Sequence, residues 1–144
     1  MKILVLNGPN LNMLGIREPG IYGSNTFADL LALIERTAQE EGLDIEQYQS
    51  NHEGDLVDNI QWVYGKIDGI VINPAAYTHT SVAILDALKA VSIPAVEVHI
   101  SDVDAREPFR QISYAGRACV HTIKGHGFEG SREAILYLKE HYGK

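Results

Sequence analysis

Residues 69–100 read GIVINPAAYTHTSVAILDALKAVSIPAVEVHI. Gly69 to Asn73 is a short apolar run stopped by Pro74, the pattern of a buried strand. From His79 to Val91 the apolar positions Ile84, Leu85, Leu88 and Val91 recur at helical spacing, so this stretch predicts a helix. Pro94 to Ile100 is a second β-branched run. Strand, helix and strand in direct succession imply a crossover joining two parallel strands.

The same alternation extends in both directions. Upstream, Ile3 to Asn7 is an apolar run ending at Gly8-Pro9 and reads as another buried strand. Gly8 to Asn25 has no periodicity; loops of about 18 residues in compact domains are usually functional or mobile. Thr26 reads as a helix N-cap, with Phe27, Leu30, Leu31, Ile34 and Ala38 at helical spacing and Gly42 as the stop. Leu43 to Ser50 alternates apolar and polar, as an edge strand does, and Asp55 to Lys66 carries a helical stripe of Leu56, Ile60 and Val63. Downstream, Asp102 to Tyr114 reads as loop with one helical turn, Ala118 to Ile123 as a fifth strand and Ser131 to His141 as a final helix. Five strands alternating with helices predict an α/β, flavodoxin-like architecture. It is a five-stranded parallel sheet of order 2-1-3-4-5 with helices on both faces, in one catalytic domain over 1–144. Ligands of such sheets bind beyond the carboxyl ends of the strands, near the switch point between strands 1 and 3.

Composition narrows the function classes. The chain has 144 residues, 45% hydrophobic and 22% charged, with twelve Lys+Arg against nineteen Asp+Glu for a formal charge of −7. That balance argues against nucleic acid and anionic membrane as partners. One cysteine, Cys119, forms no internal disulfide, fits a reducing compartment and reads as a small buried hydrophobe. No apolar stretch approaches the roughly 20 residues of a membrane span. The apolar start is too short for a signal peptide, so a cytoplasmic location is expected.

The predicted strand ends carry amides, His, Tyr and Arg: Asn7 to Asn12 and Arg17 to Gly23 after strand 1, Asn73 to Ser81 after strand 3, Glu97 to Arg110 at and after strand 4. This suits hydrogen bonding to a polyhydroxylated anion better than holding a metal. Tyr22 acts as a base only with its pKa well below the usual value of about 10, which nearby cations achieve. Arg17 lies in the same segment and Arg106 at another strand end. The alternative is an amphipathic loop tyrosine. Glu97 and His99 are two residues apart, hence on one face of a strand; a carboxylate beside an imidazole suits a general acid, the alternative being a buried polar pair. His79 and Asp86 are seven apart in the predicted helix and share a face, with His79 in the first turn. Each reads equally as a solvated helix residue. Gly125-His126-Gly127-Phe128-Glu129-Gly130 has the form G-x-G-x-x-G, but the fourteen residues after it leave no room for the strand a dinucleotide site needs. These glycines predict a tight turn and close helix–sheet packing.

The blocks LNGPNLNMLGIREPGIYG, QSNHEGDLVDNI, INPAAYTHTSVAILDAL and VEVHISDVDAREPFR strongly resemble the type II 3-dehydroquinate dehydratases over nearly the whole chain. Two departures are Asp102, where asparagine is common, and Ser131, where an aromatic is usual. The resemblance implies dehydration of 3-dehydroquinate to 3-dehydroshikimate without metal, Schiff base or any cofactor. It implies Tyr22 as base, Arg17 on a closing lid that lowers the tyrosine pKa, and Asn10 holding a water against the enolate oxygen. Asn12 is a neighbouring pocket residue. His99 protonates the departing hydroxyl with Glu97 orienting it. Asn73, His79, Asp86 and Arg110 match substrate contacts, and Ile100-Ser101 a carboxylate cradle. Arg106 is counted with the substrate-binding set. A dodecamer built from trimers is implied, with Asp86 near a subunit boundary. The lid, residues 18 to 24, is expected to order poorly without ligand. The competing class is a flavin- or small-anion-binding module on the same fold.

Overall fold

A computed structural model describes residues 1–16 and 25–143. Five strands, β1 (Lys2–Asn7), β2 (Asp44–Gln49), β3 (Gly69–Asn73), β4 (Ala95–His99) and β5 (His121–Lys124), form one sheet in the order β2-β1-β3-β4-β5. Every neighbouring pair is parallel. The helices are α1 (Phe27–Glu41), α2 (Glu53–Trp62), α3 (Val82–Val91) and α4 (Glu129–Tyr142).

Strand alternation sorts the core into two layers. Ile3 and Val5 of β1, Val71 of β3 and Val96 and Val98 of β4 pack on one face with Leu30 and Ile34 of α1 and Ile135 and Leu138 of α4. Leu4, Leu6, Ile70 and Ile72 turn to the other face, against Leu56 and Ile60 of α2 and Ile84 and Leu88 of α3. The central strands β1, β3 and β4 are thus buried on both sides, while β2 alternates half-buried and exposed as the edge-strand pattern predicts. Among the described residues no helix is long and apolar enough to cross a membrane.

Local chemistry sets the boundaries. Thr26 caps α1 with a reciprocal box: its hydroxyl accepts from the Asp29 N–H at 3.2 Å and the Asp29 carboxylate accepts from the Thr26 N–H at 2.9 Å. Gly42 closes the helix at φ 66°. Several elements differ from the sequence expectation, and α2 spans Glu53–Trp62 rather than Asp55 to Lys66. The helix predicted from His79 starts at Val82, because the Ser81 hydroxyl accepts from the Ile84 N–H at 2.9 Å and makes Ser81 the N-cap. His79 instead ends a separate 3-10 turn, Ala75–His79, entered through Ala75 at φ 53°. His79 and Asp86 therefore do not share a helix face. The fifth strand begins at His121 rather than Ala118, since Ala115–Ala118 winds into a 3-10 turn against α3. The segment expected as mostly loop contains two 3-10 turns, Val103–Ala105 and Pro108–Gln111.

The glycines at 125–130 behave as expected. Gly125 and Gly127 take φ 83° and 60°, and their N–H groups donate to the carbonyls of His99 and Ile100 at 3.2 and 3.0 Å. A Cβ on Gly130 would stand 3.3 Å from Val98. A tighter approach occurs at Gly8, where β1 meets β3: a Cβ there would lie 2.6 Å from the Pro74 carbonyl oxygen. Both contacting segments are backbone, so neither yields without distorting the strand ends. Gly8→Ala is expected to destabilise the fold by about 1–3 kcal/mol, read as a lowered urea midpoint with an unchanged m-value.

Candidate active site

The carboxyl ends of β1, β3 and β4 open onto one cleft. Its walls are Pro9 to Leu11 after β1, Asn73, Ala75, Ala76 and His79 at and after β3, and His99, Ile100, Ser101, Val103, Arg106 and Arg110 at and after β4. This is the switch-point crevice that the strand order dictates.

β4 sets the centre of the site. The sequence AVEVH buries all five residues, and period-two alternation sends Glu97 and His99 to the same side. Glu97 is 1% exposed and His99 4%. The His99 Nε2 lies 2.8 Å from Glu97 Oε2. A carboxylate accepts only, so Nε2 carries a proton and Nδ1 is the nitrogen left for the cleft.

Glu97 is held ionised against its surroundings. Burial by itself raises its pKa. The hydrogen bond and charge of His99, then the hydroxyls of Ser113 and Thr78, outweigh burial and bring the carboxyl from 4.5 to about 2. Thr78 Oγ1 donates to Oε2 at 2.6 Å, Ser113 Oγ donates to the same oxygen, and Thr122 Oγ1 donates to Oε1 at 3.0 Å. The fold pulls this pKa below its ordinary value, so the ionised group stabilises the fold fully above about pH 4.5. That contribution is lost as pH falls from there through about 2. Its size is about 3 kcal/mol. Glu97→Gln is expected to flatten the fall in urea midpoint between pH 6 and pH 3 relative to the parent chain.

Cys119 belongs to the same neighbourhood. Burial first, and the Glu97 charge second, push its thiol up to about 12. It packs half-buried against the α2/α3 layer, as a small hydrophobe.

The remaining predicted residues divide by location. Asn73 is buried at the end of β3, and its Oδ1 accepts from the Ala75 N–H at 3.0 Å. His79 lies 2.7 Å through Nδ1 from the Ile112 carbonyl. A carbonyl only accepts, so this bond fixes Nδ1 as the donor and leaves Nε2 as the other ring nitrogen. Arg106 and Arg110 bring cationic side chains, 15% and 18% exposed, to the rim. Arg110 Nε donates to Glu107 Oε2 at 2.6 Å. The Glu107 carboxyl is lowered by its own backbone N–H and then by Arg110.

Asn10 sits in the left-handed region at φ 69°, and its N–H donates to Asn51 Oδ1 at 2.9 Å. Asn12 is exposed, accepts from Gln49 Nε2 at 3.3 Å and does not line the cleft. Asp86 is exposed on α3 and does not line it either. Tyr22, Arg17 and the expected lid, residues 18 to 24, lie outside the described residues.

Four contributors escape a reading of the sequence. Thr78, Ser113 and Thr122 come from three separate segments and meet only at Glu97. Asn51 follows β2 and holds the Asn10 turn. Thr122 is brought beside Glu97 by the β4–β5 register, which the sequence does not state.

The comparisons with known proteins agree with one another. Residues 1–139 match the family model described as dehydroquinase class II. A 3-dehydroquinate dehydratase of Caldicellulosiruptor bescii is 54% identical over 140 residues, 96% of this chain and 97% of that protein. Catabolic 3-dehydroquinase 1 of Aspergillus terreus is 54% identical over 137 residues, 95% of this chain and 90% of that protein. The crystal structure of a type II dehydroquinase from Butyrivibrio crossotus superposes with a TM-score of 0.95 at 52% identity, covering 96% of this chain and 97% of that one. With the family model spanning nearly all of the sequence, and the sheet order and the strand-end cleft in place, this chain belongs to the class II dehydroquinase family.

Proposed function

We propose that the chain dehydrates 3-dehydroquinate to 3-dehydroshikimate, a hydro-lyase step of the shikimate pathway, by anti elimination through an enolate. The observation that carries this reading is the His99–Glu97 pair, 2.8 Å apart at the carboxyl end of β4, with His99 opening onto a cleft rimmed by two arginines.

A proton alpha to a ketone is weakly acidic, so the step needs a competent base and donors aimed at the enolate oxygen. Tyr22 as phenolate takes that proton, and Arg17 stabilises the phenolate charge. Asn10 holds a water against the enolate oxygen. The enolate then re-forms the ketone as the C–O bond to the leaving hydroxyl breaks. Imidazolium His99 gives its Nδ1 proton to that hydroxyl, which departs as water. Proton loss leaves a neutral ring whose remaining proton is on Nε2, the tautomer Glu97 already selects. Glu97 stays charged throughout, since its low pKa keeps it from accepting the proton itself.

The ring hydroxyls and carboxylate of the substrate fall to Asn73, His79, Ile100, Ser101, Arg106 and Arg110, with Asn12 a neighbour. A substrate carboxylate competes with Glu107 for Arg110. Exposed Asp86 is assigned to a subunit boundary in a homo-oligomer, a dodecamer of trimers, formed by one catalytic domain over 1–144 in the cytoplasm.

The test is direct. The protein is mixed with 3-dehydroquinate and EDTA and ultraviolet absorbance of the conjugated product is followed. Growing absorbance is expected; a flat trace rejects the reading.

A further inference from the structure

Among the described residues Glu97 is the one buried aspartate or glutamate, and each protein group bonded to its oxygens is able to donate. Oε2 takes His99 Nε2, Thr78 Oγ1 and Ser113 Oγ, and Oε1 takes Thr122 Oγ1. Ser113 is itself oriented. Its oxygen accepts from the Gly116 N–H at 3.0 Å, which directs its own proton toward the carboxylate. Thr78 and Ser113 also stand 2.7 Å apart; with one proton each, both hydroxyls directed at Glu97 leave this contact as adjacency at the shared acceptor. Gly116 leaves the space this needs, because a Cβ there would lie 2.6 Å from Glu97 Oε1.

Four donors engage the two carboxylate oxygens, so the group has no free rotation about its terminal torsion. We infer that Thr78, Ser113 and Thr122 are positioning residues for the reaction: their hydroxyls fix the Glu97 carboxylate so that Oε2 always meets His99 Nε2 and Nδ1 stays aimed into the cleft. This inference rests on His99 being the acid. None of the three hydroxyls touches the reacting atoms; each acts through Glu97. Thr78 follows β3, Ser113 lies between two 3-10 turns and Thr122 lies on β5, so the acid is held by segments distant in sequence.

The titratable groups facing Glu97 are His99 from β4 and Cys119 from the end of the Ala115–Ala118 turn. β3 sets Ile72 beside it and β5 sets Thr122. The Cys119 thiol stays protonated through the working range. With donors removed, burial acts on Glu97 with less opposition, and its proton affinity rises.

The experiment uses the intact protein with Thr122→Val, Ser113→Ala, the double variant and Thr122→Ser. Thr122 is exposed at the sheet edge, so the Thr122 variants keep the test open if Ser113→Ala does not fold. Thr122→Val is expected to lower kcat about tenfold, and the double variant further, because hydrogen bonds to a charged group are the stronger kind. KM stays unchanged, and Thr122→Ser restores kcat. The ¹⁵N shifts of the His99 ring, measured without substrate, are expected to show one tautomer with Nε2 protonated in the parent and a mixture in the double variant. Parental kcat and ring shifts in the folded variants overturn the inference, as does a loss of melting temperature alone. Loss of parental turnover on 3-dehydroquinate overturns the functional reading instead, and the ring shifts, read without turnover, tell the two failures apart.

Discussion

Replacing Tyr22 with phenylalanine is expected to lower kcat at least about a thousandfold, the scale of a lost general base, while size-exclusion elution and circular dichroism stay as in the parent. The substitution removes one oxygen and keeps the aromatic ring, so the change in side-chain volume is small. The chemistry changes, because a phenyl ring accepts no proton. Substrate recovered from the variant in D₂O should carry no deuterium at the alpha carbon, since enolate formation is the step removed. Retained turnover would assign the base to another group and withdraw the proposed roles of both Tyr22 and Arg17.

His99→Gln is expected to lower kcat by about 10² to 10⁴, the range for a positioned acid, with a different isotopic signature. The base is untouched, so the enolate still forms and reverts. Deuterium from solvent then accumulates in unreacted 3-dehydroquinate although little product appears. Glutamine keeps a polar end for Glu97, which limits the loss of stability that a bare buried carboxylate would cause. Exchange without elimination would place His99 after proton abstraction, as the acid. Loss of both exchange and elimination would assign it to the first step and reverse the order of roles proposed here.

The two halves of the site were legible in the sequence to different degrees. Glu97 and His99 could be paired from spacing alone, because a strand repeats every two residues and their common side follows directly. Their 2.8 Å contact realises that geometry. The same kind of spacing puts His79 and Asp86 together in the sequence, and the structure separates them. The helical period holds only inside one helix, and the Ser81 cap starts α3 after His79. Spacing is as good as the element boundary it assumes, and boundaries are decided by caps and by local hydrogen bonds.

The glycines at 125–130 show the opposite case, where context corrected a motif. The pattern alone suggests a dinucleotide loop. The absence of room for another strand turned the reading to turn geometry and close packing, and the positive φ at Gly125 and Gly127 and the tight contact of Gly130 on Val98 agree. The shift of β5 to His121 had no comparable signal. Ala118 to Ile123 is as apolar as a strand requires, and only the packing of the Ala115–Ala118 turn against α3 claims its first residues.

By itself, the sequence determined the order of elements, the parallel sheet with its crevice at the strand ends, and the pairing of His99 with Glu97. These follow from apolar periodicity and local backbone chemistry, which act over a few residues. Only the tertiary structure decided which hydroxyls surround Glu97 and that its charge survives burial. Thr78, Ser113 and Thr122 lie 19, 16 and 25 residues from it along the chain. Hydrogen bonds across such separations are set by strand register and turn packing, which no local pattern encodes.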